Sequence, residues 1–475
     1  MAMIFSSFTF LVFFLVFFAI YSIARHNHYI QNRVILVGSL IFYGWWDWRF
    51  LFLISVTIVT DYLIGSKISN TEETSKRKWL VGISVAINLS ILGFFKYFNF
   101  FSESLSHSLS YFGIEAGFVT LNIILPVGIS FYTFQSLSYV VDIYRKDVKP
   151  APSLIDYGAY VALFPQLVAG PIERGYHLLP QITSPRIITR EKIYEGSYLI
   201  LWGLFKKIFI ADNLAQIVDP IFSGGGTPSG SLVLIGVYAF AFQIYCDFSA
   251  YTDIARGIAK WMGIDLMENF RIPYISKNPS EFWRRWHVSL SSWLRDYLYI
   301  PLGGNKKGAF RTYRNLMITM ILGGLWHGAQ ANFVLWGFYQ GAILIIHRFF
   351  TRNVFKPNHE RKESPIASVI KISLFFHVVC FGWLLFRADS VQQIGNFSYL
   401  LVTDIDVNEV FSNIKKLIFY ISPLLIMQLI QVKTGKMNFL LSWPIPIKVT
   451  FYLCVFISLL LFGEFGASEF IYFQF

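Results

Sequence analysis

Residues 315–347 read NLMITMILGGLWHGAQANFVLWGFYQGAILIIH, a stretch that contains no Asp, Glu, Lys or Arg. At about 1.5 Å per residue, one straight helix through it would run well beyond the ~30 Å hydrocarbon core of a bilayer. Gly323-Gly324 and the polar Gln330-Ala331-Asn332 therefore predict a break between two buried helices. We expect His327 to lie at that break.

The rest of the chain has the same apolar character. Hydrophobic residues make up 55% of the 475 residues, charged residues only 14%, and the mean hydropathy is +0.52. A soluble domain of this length needs far more charge to cover its surface. We predict an all-α, polytopic integral membrane protein. Apolar segments are expected near 4–24, 34–46, 50–65, 79–98, 118–144, 155–170, 196–211, 230–250, 316–326, 331–347, 366–386, 415–431 and 447–464.

A second break is predicted at residues 125–132, where Pro126 and Gly128 interrupt an apolar run. Non-helical backbone at membrane depth survives only where protein or a water-filled cavity surrounds it. The first apolar segment, Ile4–Ala24, has no Lys or Arg before it and no clean small-residue cleavage site. We interpret it as a transmembrane helix, and a cleaved signal peptide is the alternative.

The net charge of +12 is explained by short basic loops, which set membrane orientation, so nucleic-acid binding is not needed. Basic residues cluster at 25–33, 67–78 and 145–149, whereas residues 102–117 contain no Lys or Arg. This alternation predicts that the N-terminus lies outside the cytoplasm. The three cysteines are far apart in apolar settings, which predicts buried thiols and neither a disulfide framework nor a zinc site.

His327 is the first candidate for chemistry. Ionisable groups inside membrane spans are costly and usually face the bundle interior or a hydrated cavity. A neutral imidazole there can accept a proton, and the flanking glycines would let a substrate chain or another backbone approach closely. The alternative is a histidine that only ties two helices together by a hydrogen bond.

A helix start is predicted at Asn278, with Asn278 as N-cap, Pro279 in the first turn and Glu281 at the third position. The following residues predict an amphipathic helix at the cytoplasmic interface. Its arginines, Arg284 and Arg285, could attract a phosphate-bearing donor or lipid headgroups. His287, in the same segment, is the second candidate histidine.

Buried acids form a third feature. Asp247 and Asp253 lie six residues apart with Ser249 between them, in a stretch too polar to face lipid. They are expected to line a cavity or a network between helices. An ion or substrate transporter is therefore an alternative function, and pairing with an arginine such as Arg256 is the structural alternative. There is no G-x-S-x-G elbow, Walker loop or H-E-x-x-H motif, which disfavours serine hydrolases, ATP-driven transporters and zinc proteases.

Six stretches in this order together resemble the membrane-bound O-acyltransferase family, in particular its bacterial polysaccharide O-acetylase branch, which contains the alginate O-acetylase. They are PVGISFYTFQ at 126–135, FPQLVAGPI at 164–172, YCDFS at 245–249 with YTD at 251–253, FWRRWH at 282–287, WLRDY at 293–297 and GLWHG at 324–328.

The resemblance implies a single membrane-embedded domain, 1–475, built as a ring of about 11–13 tilted and re-entrant helices around a central tunnel. Within it, N-terminal spans would cover 1–117, a catalytic core 118–350 and C-terminal spans 366–475. The resemblance also implies that His327 is catalytic and that His287 is a second functional histidine. The tunnel is expected to be lined by Gln135, Asp247, Ser249, Asp253 and Trp326.

On this reading, acetyl-CoA is the expected acyl donor, approaching from the cytoplasm, and no bound cofactor or metal is expected. Its phosphates would be attracted by Arg284, Arg285, Lys306, Lys307 and Arg311. The expected final acceptor is an exported polysaccharide, reached through a periplasmic acetyltransferase partner, with the chain in the bacterial inner membrane. The residues leave open which polysaccharide is acetylated.

Overall fold

A computed structural model describes residues 3–113, 121, 123–168, 170–223, 226–353, 364–466 and 470–471, and within these ranges the regular structure is helical with no strand. Seven of the described helices are long and apolar enough to cross a membrane. The prediction of an all-α, multi-pass membrane protein is therefore confirmed.

The chain divides into two compact units. The first comprises Met1–Ile200 and Ile254–Met267. Its helices are α1 Phe8–Ile23, α2 His28–Gly44, α3 Phe50–Ser69, α4 Thr74–Leu92, α5 Phe98–Tyr111, α6 Ile129–Arg145, α7 Leu154–Val161, α8 Phe164–Leu167, α9 Gly175–Ile182 and most of α10 Arg190–Leu204. A π-helical turn, Gly93–Tyr97, joins α4 to α5.

The second unit comprises Leu201–Asp253 and Glu268–Phe475. Near its start, the second unit contains a π-helical segment, Phe205–Ala211. The long helix α12 is divided between the two units, and the second unit contains most of it. Its helices are α11 Asp212–Phe222, α12 Gly230–Trp261, α13 Pro279–Phe282, α14 Val288–Leu294, α15 Gly308–His327, α16 Ala331–Asn353, α17 Pro365–Arg387, α18 Val391–Thr403, α19 Val407–Thr434 and α20 Ile445–Phe462.

The predicted break before α6 is confirmed. Gly128 adopts a left-handed backbone with φ 71°, and a Cβ at this position would collide with the carbonyl oxygen of Leu167. Only glycine accommodates both the conformation and this close approach without strain. The helix begins immediately afterwards, at Ile129.

Three expectations about the elements are wrong. Residues 102–117 were expected to be a loop, but α5 continues to Tyr111, and residues 114–117 of that stretch lie outside the described residues. The apolar segment 155–170 is not one span, because it contains the short helices α7 and α8. Cys454 is exposed on α20, whereas Cys246 and Cys380 are buried as expected. An apolar sequence does not distinguish a residue that faces lipid from one that faces protein.

Candidate active site

His327 is the last residue of α15 and is buried, with 4% of its surface exposed. Gly328 then takes an extended conformation, and α16 begins at Ala331. The predicted helix break at His327 is therefore confirmed. It places an imidazole at the end of a buried helix, where the backbone no longer follows the helical path.

The glycine pair before His327 does not interrupt the helix, contrary to prediction. Gly323 and Gly324 both lie inside α15. A Cβ on Gly324 would collide with the carbonyl oxygen of Phe333 and lie 3.1 Å from the backbone of Gly337. Gly324 therefore lets α15 and α16 pack in close backbone contact, and the turn itself is formed by residues 328–330.

Aromatic rings surround the His327 imidazole. Its centroid lies 5.0 Å from that of Trp326, 5.1 Å from Trp336 and 5.3 Å from Phe386, each at a steep interplanar angle. The rings come from α15, α16 and α17. Edge-to-face packing of this kind is favourable and fixes the orientation of the imidazole. Sequence reasoning missed Trp336 and Phe386, because each is only one more aromatic residue in an apolar helix.

His287 lies in a second break. The segment was predicted to continue from Asn278 as one amphipathic helix, and its start is correct, since the Asn278 side chain caps the backbone N–H of Glu281 at 2.9 Å. The helix, however, ends at Phe282 and α14 starts at Val288. His287 between them is fully buried and left-handed, with φ 42°. A non-glycine residue in this conformation is strained and persists only where its surroundings hold it.

Asn269 holds His287 in this position. Its Oδ1 lies 3.1 Å from His287 Nδ1 and accepts hydrogen bonds from the backbone N–H of Ser289 at 3.2 Å and the Ser289 hydroxyl at 3.0 Å. The backbone carbonyl of Asn269 also accepts from the N–H of Val288 at 3.0 Å. Asn269 was not predicted, because its contacts cross 18 to 20 residues of sequence and no local signal marks it.

These contacts determine the tautomer of His287. A backbone N–H can only donate, so the Asn269 atom that faces Ser289 N–H is the amide oxygen. The Nδ1 atom that faces the same oxygen must then carry a proton. In a neutral imidazole the lone pair is consequently on Nε2.

The two histidines share one aromatic neighbour. The Trp326 ring centroid lies 5.0 Å from that of His327 and 5.9 Å from that of His287. Phe248 of α12 approaches His287 from another direction, at 4.7 Å. The structure therefore brings together three residues predicted from two separate motifs, namely His287, Trp326 and His327, inside one unit.

The predicted acids Asp247 and Asp253 each lie beside a buried lysine. Asp247 is 2.9 Å from Lys207, which also lies 2.7 Å from Asp212. Asp253 is 2.7 Å from Lys206, whose ammonium also donates to the Ser249 hydroxyl at 2.8 Å. Burying a charge requires such a partner. Because lysines of the same unit neutralise these acids, they give no specific support to the transporter alternative.

The sequence did contain a signal for these lysines. Lys206 and Lys207 are adjacent within the apolar segment that was predicted at 196–211. They lie in the π-helical segment Phe205–Ala211 and are buried. Two buried cations in an apolar run indicate that buried acids lie nearby in the fold, but the charge count does not say which acid each lysine contacts.

The residues predicted to attract the donor differ in their surroundings. Arg284, Lys306, Lys307 and Arg311 are exposed. Arg285 is partly buried and pairs with Glu281 at 2.9 Å, so its charge is largely used within the protein. Since α15 has 20 residues, Lys307 and His327 lie about 30 Å apart. The basic end of α15 can therefore guide an anion by long-range attraction but cannot contact the His327 imidazole.

Gln135 belongs to the first unit. It is buried on α6, donates to the carbonyl of Tyr160 at 2.8 Å and accepts from the Gln166 amide at 2.6 Å. These contacts connect α6, α7 and α8. The predicted tunnel-lining role of Gln135, Asp247, Ser249, Asp253 and Trp326 stays a prediction.

Comparison with known proteins shows several similar chains. A family model described as MBOAT, membrane-bound O-acyltransferase family, matches residues 144–385. A probable alginate O-acetylase of Pseudomonas putida is 43% identical over 393 residues, which cover 82% of this chain and 78% of that protein. A peptidoglycan O-acetyltransferase of Helicobacter pylori is 34% identical, over 76% of this chain and 71% of that protein. A teichoic acid D-alanyltransferase of Bacillus subtilis is 29% identical, over 56% and 69% respectively.

Proposed function

Because this chain belongs to the membrane-bound O-acyltransferase family and is an O-acyltransferase, we propose that it moves an acetyl group across the membrane. In this proposal the donor is acetyl-CoA on the cytoplasmic side, and the final acceptor is a hydroxyl of an exported polysaccharide such as alginate. The names of the similar proteins support an exported glycan as acceptor. The observation that carries the proposal is that two buried histidines, His287 and His327, pack against the same ring, Trp326.

His327 is the general base of the proposed reaction. An acceptor hydroxyl oxygen attacks the thioester carbonyl carbon while the imidazole takes the hydroxyl proton. The tetrahedral intermediate then collapses, the carbon–sulfur bond breaks, and the sulfur leaves with the proton that His327 returns. The products are an acetyl ester and free CoA, so the proton balance closes without a metal ion.

His287 orients the acceptor. Burial lowers the pKa of His287 to about 3, so its imidazole is neutral near pH 7. Its proton is on Nδ1, toward Asn269, and Nε2 therefore presents a lone pair. A lone pair accepts a hydrogen bond from a hydroxyl but cannot stabilise a negatively charged oxygen. This protonation state therefore favours acceptor positioning by His287 over stabilisation of the tetrahedral intermediate.

Donor guidance is assigned to the exposed basic residues Arg284, Lys306, Lys307 and Arg311, with a weaker contribution from the paired Arg285. These side chains attract the phosphates of acetyl-CoA from solution. We place the chain in the bacterial inner membrane with its N-terminus in the periplasm. Because the predicted outward loops are short, a periplasmic acetyltransferase partner is assigned the task of holding the polymer.

A single pair of variants tests the catalytic assignment. We expect His327→Ala to abolish release of free CoA from acetyl-CoA in proteoliposomes that also contain the acceptor system. His347→Ala removes a second histidine from the same charge-poor stretch and should keep activity. Size-exclusion behaviour and thermal unfolding in detergent report folding of both variants. Full activity of a folded His327→Ala protein would end the assignment, and its failure to fold would favour a purely structural histidine.

A further inference from the structure

An open groove runs along the outer side of α1 and α2, with a volume of about 720 Å³. It lies entirely within the first unit. Its walls are apolar apart from one threonine and one arginine. Among the residues that line it are Val16, Phe17, Arg33, Val37, Gly38 and Trp45.

The groove results from the sizes of the side chains on the two helices. Gly38 of α2 forms the floor, since a Cβ there would come within 2.6 Å of the Phe17 ring. On the inner side, α1 packs through aromatic rings, with Phe10 6.3 Å from Phe164 and Phe14 5.8 Å from Trp261. On the outer side the short residues Val16 and Val37, each 57% exposed, leave the space between the helices open.

One end of the groove is cationic. Arg33 is exposed and makes no hydrogen bond or ion pair with any residue in the described part of the chain. No Asp or Glu occurs before Asp47, while Arg25, His26 and His28 surround the turn that precedes α2. This end therefore favours an anion. A guanidinium binds the oxygens of a phosphate with two parallel hydrogen bonds.

The groove has the length of a lipid chain. Arg33 and Trp45 mark its two ends, twelve residues apart along α2, which corresponds to about 18 Å. One leaflet of a bilayer core is about 15 Å thick, half of the ~30 Å hydrocarbon thickness. An acyl chain that starts at a headgroup beside Arg33 would thus follow the groove over its full length.

We propose that this groove is a binding site for one anionic glycerophospholipid, whose phosphate contacts Arg33 and whose acyl chain lies between Val16 and Val37. The site is separate from the two histidines and does not depend on the proposed function. It differs from ordinary lipid contact, because a concave apolar channel and a single unpaired cation select one orientation and one headgroup charge.

Native mass spectrometry tests the proposal after reconstitution of the whole chain in vesicles of equal parts phosphatidylglycerol and phosphatidylethanolamine. We expect one phosphatidylglycerol to remain bound after transfer to detergent. Val16→Trp fills the groove and should lower the retained lipid by roughly tenfold, since contact along the acyl chain is lost. Leu15→Trp is the matched control, because Leu15 is also 57% exposed on α1 but does not line the groove.

Arg33→Gln provides an independent measurement. It should keep the acyl chain bound but remove the preference for phosphatidylglycerol over phosphatidylethanolamine. Equal retention by wild type and Val16→Trp, or equal loss in Val16→Trp and Leu15→Trp, would overturn the site. Unchanged lipid binding combined with loss of a co-purifying membrane protein in Val16→Trp would identify a protein interface and also overturn it. Release of CoA, measured in parallel, should be the same in wild type, Val16→Trp and Leu15→Trp.

Discussion

At the scale of single residues, the chemistry depends on which nitrogen of each imidazole is available. Asn269 determines which nitrogen of His287 carries the proton, because three donors converge on the Asn269 amide oxygen and one of them is a backbone N–H. The left-handed backbone at His287 is held by the same residue. One asparagine thus controls both the orientation and the protonation of a buried histidine.

Asn269→Asp is expected to retain activity but to move the acidic limb of its pH dependence upward. A carboxylate still accepts from Nδ1–H, and its negative charge favours the imidazolium, which raises the pKa of His287 from about 3. Below the raised pKa, Nε2 carries a proton and cannot accept from the acceptor hydroxyl. Activity should therefore fall at a pH where the wild type is unaffected, as measured by the pH profile of kcat/KM.

Asn269→Leu is the control for this variant. It removes the acceptor altogether and should lower kcat by about 10²-fold, the usual loss when a proton-transfer or positioning group is misplaced. A purely structural asparagine would instead give two variants with reduced folded yield and pH profiles identical to that of the wild type. That result would contradict the role of Asn269 in positioning His287.

At the scale of elements, local signals located the helix ends well but not the packing between helices. The cap at Asn278 and the break at Gly128 were identified from the sequence, because the residues that mark a cap or a chain break are neighbours in the sequence. The continuation of α13 through His287 was predicted wrongly, since the hydrogen bonds that break it come from Asn269, 18 residues away. Gly324 was assigned to a break for the same reason, as its true partner lies on the next helix.

Gly324→Ala is expected to destabilise the protein by about 1–3 kcal/mol, the usual cost of overpacking. The added methyl group meets the backbone of Phe333 and Gly337, which cannot move without separating α15 from α16. Thermal unfolding in detergent measures the change. Gly395→Ala on α18 is the control, because its Cβ would meet nothing within 4 Å and alanine favours helix. Equal unfolding temperatures for the two variants would contradict close packing at Gly324.

The segment Phe205–Ala211 and α12 provide a second matched pair. Lys207→Met removes a buried ammonium that lies within 2.9 Å of both Asp212 and Asp247, and breaking a buried ion pair costs about 3–5 kcal/mol. Lys206→Met removes the ammonium beside Asp253, whose side chain is already 18% accessible to solvent. The loss of stability in Lys206→Met should therefore be clearly smaller. Urea unfolding curves of the two variants in the same detergent give the comparison. A larger loss of stability in Lys206→Met than in Lys207→Met would contradict the expectation that the more deeply buried ion pairs contribute more.

At the scale of the whole molecule, composition and motif order were sufficient to predict the class of protein and its family. Apolar blocks repeated along the chain do not depend on tertiary contacts, so they can be identified without a structure. The partners of buried polar groups were not predictable in this way. The pairing of Asp247 with Lys207 joins residues 40 positions apart, and many sequence pairings would have satisfied the same charge balance.

Membrane orientation is the last property that the basic loops predict, and it can be measured directly. Residue 73 lies between α3 and α4, next to Lys67–Lys78, and is expected in the cytoplasm. Trp48, which is 75% exposed between α2 and α3, is expected in the periplasm. In a Cys454→Ser background, Trp48→Cys should react with a membrane-impermeant maleimide in intact cells with an opened outer membrane. Glu73→Cys should react only after the inner membrane is permeabilised. The opposite labelling pattern would contradict the predicted orientation. It would place the proposed donor-guiding residues in the periplasm, where they could not attract cytoplasmic acetyl-CoA.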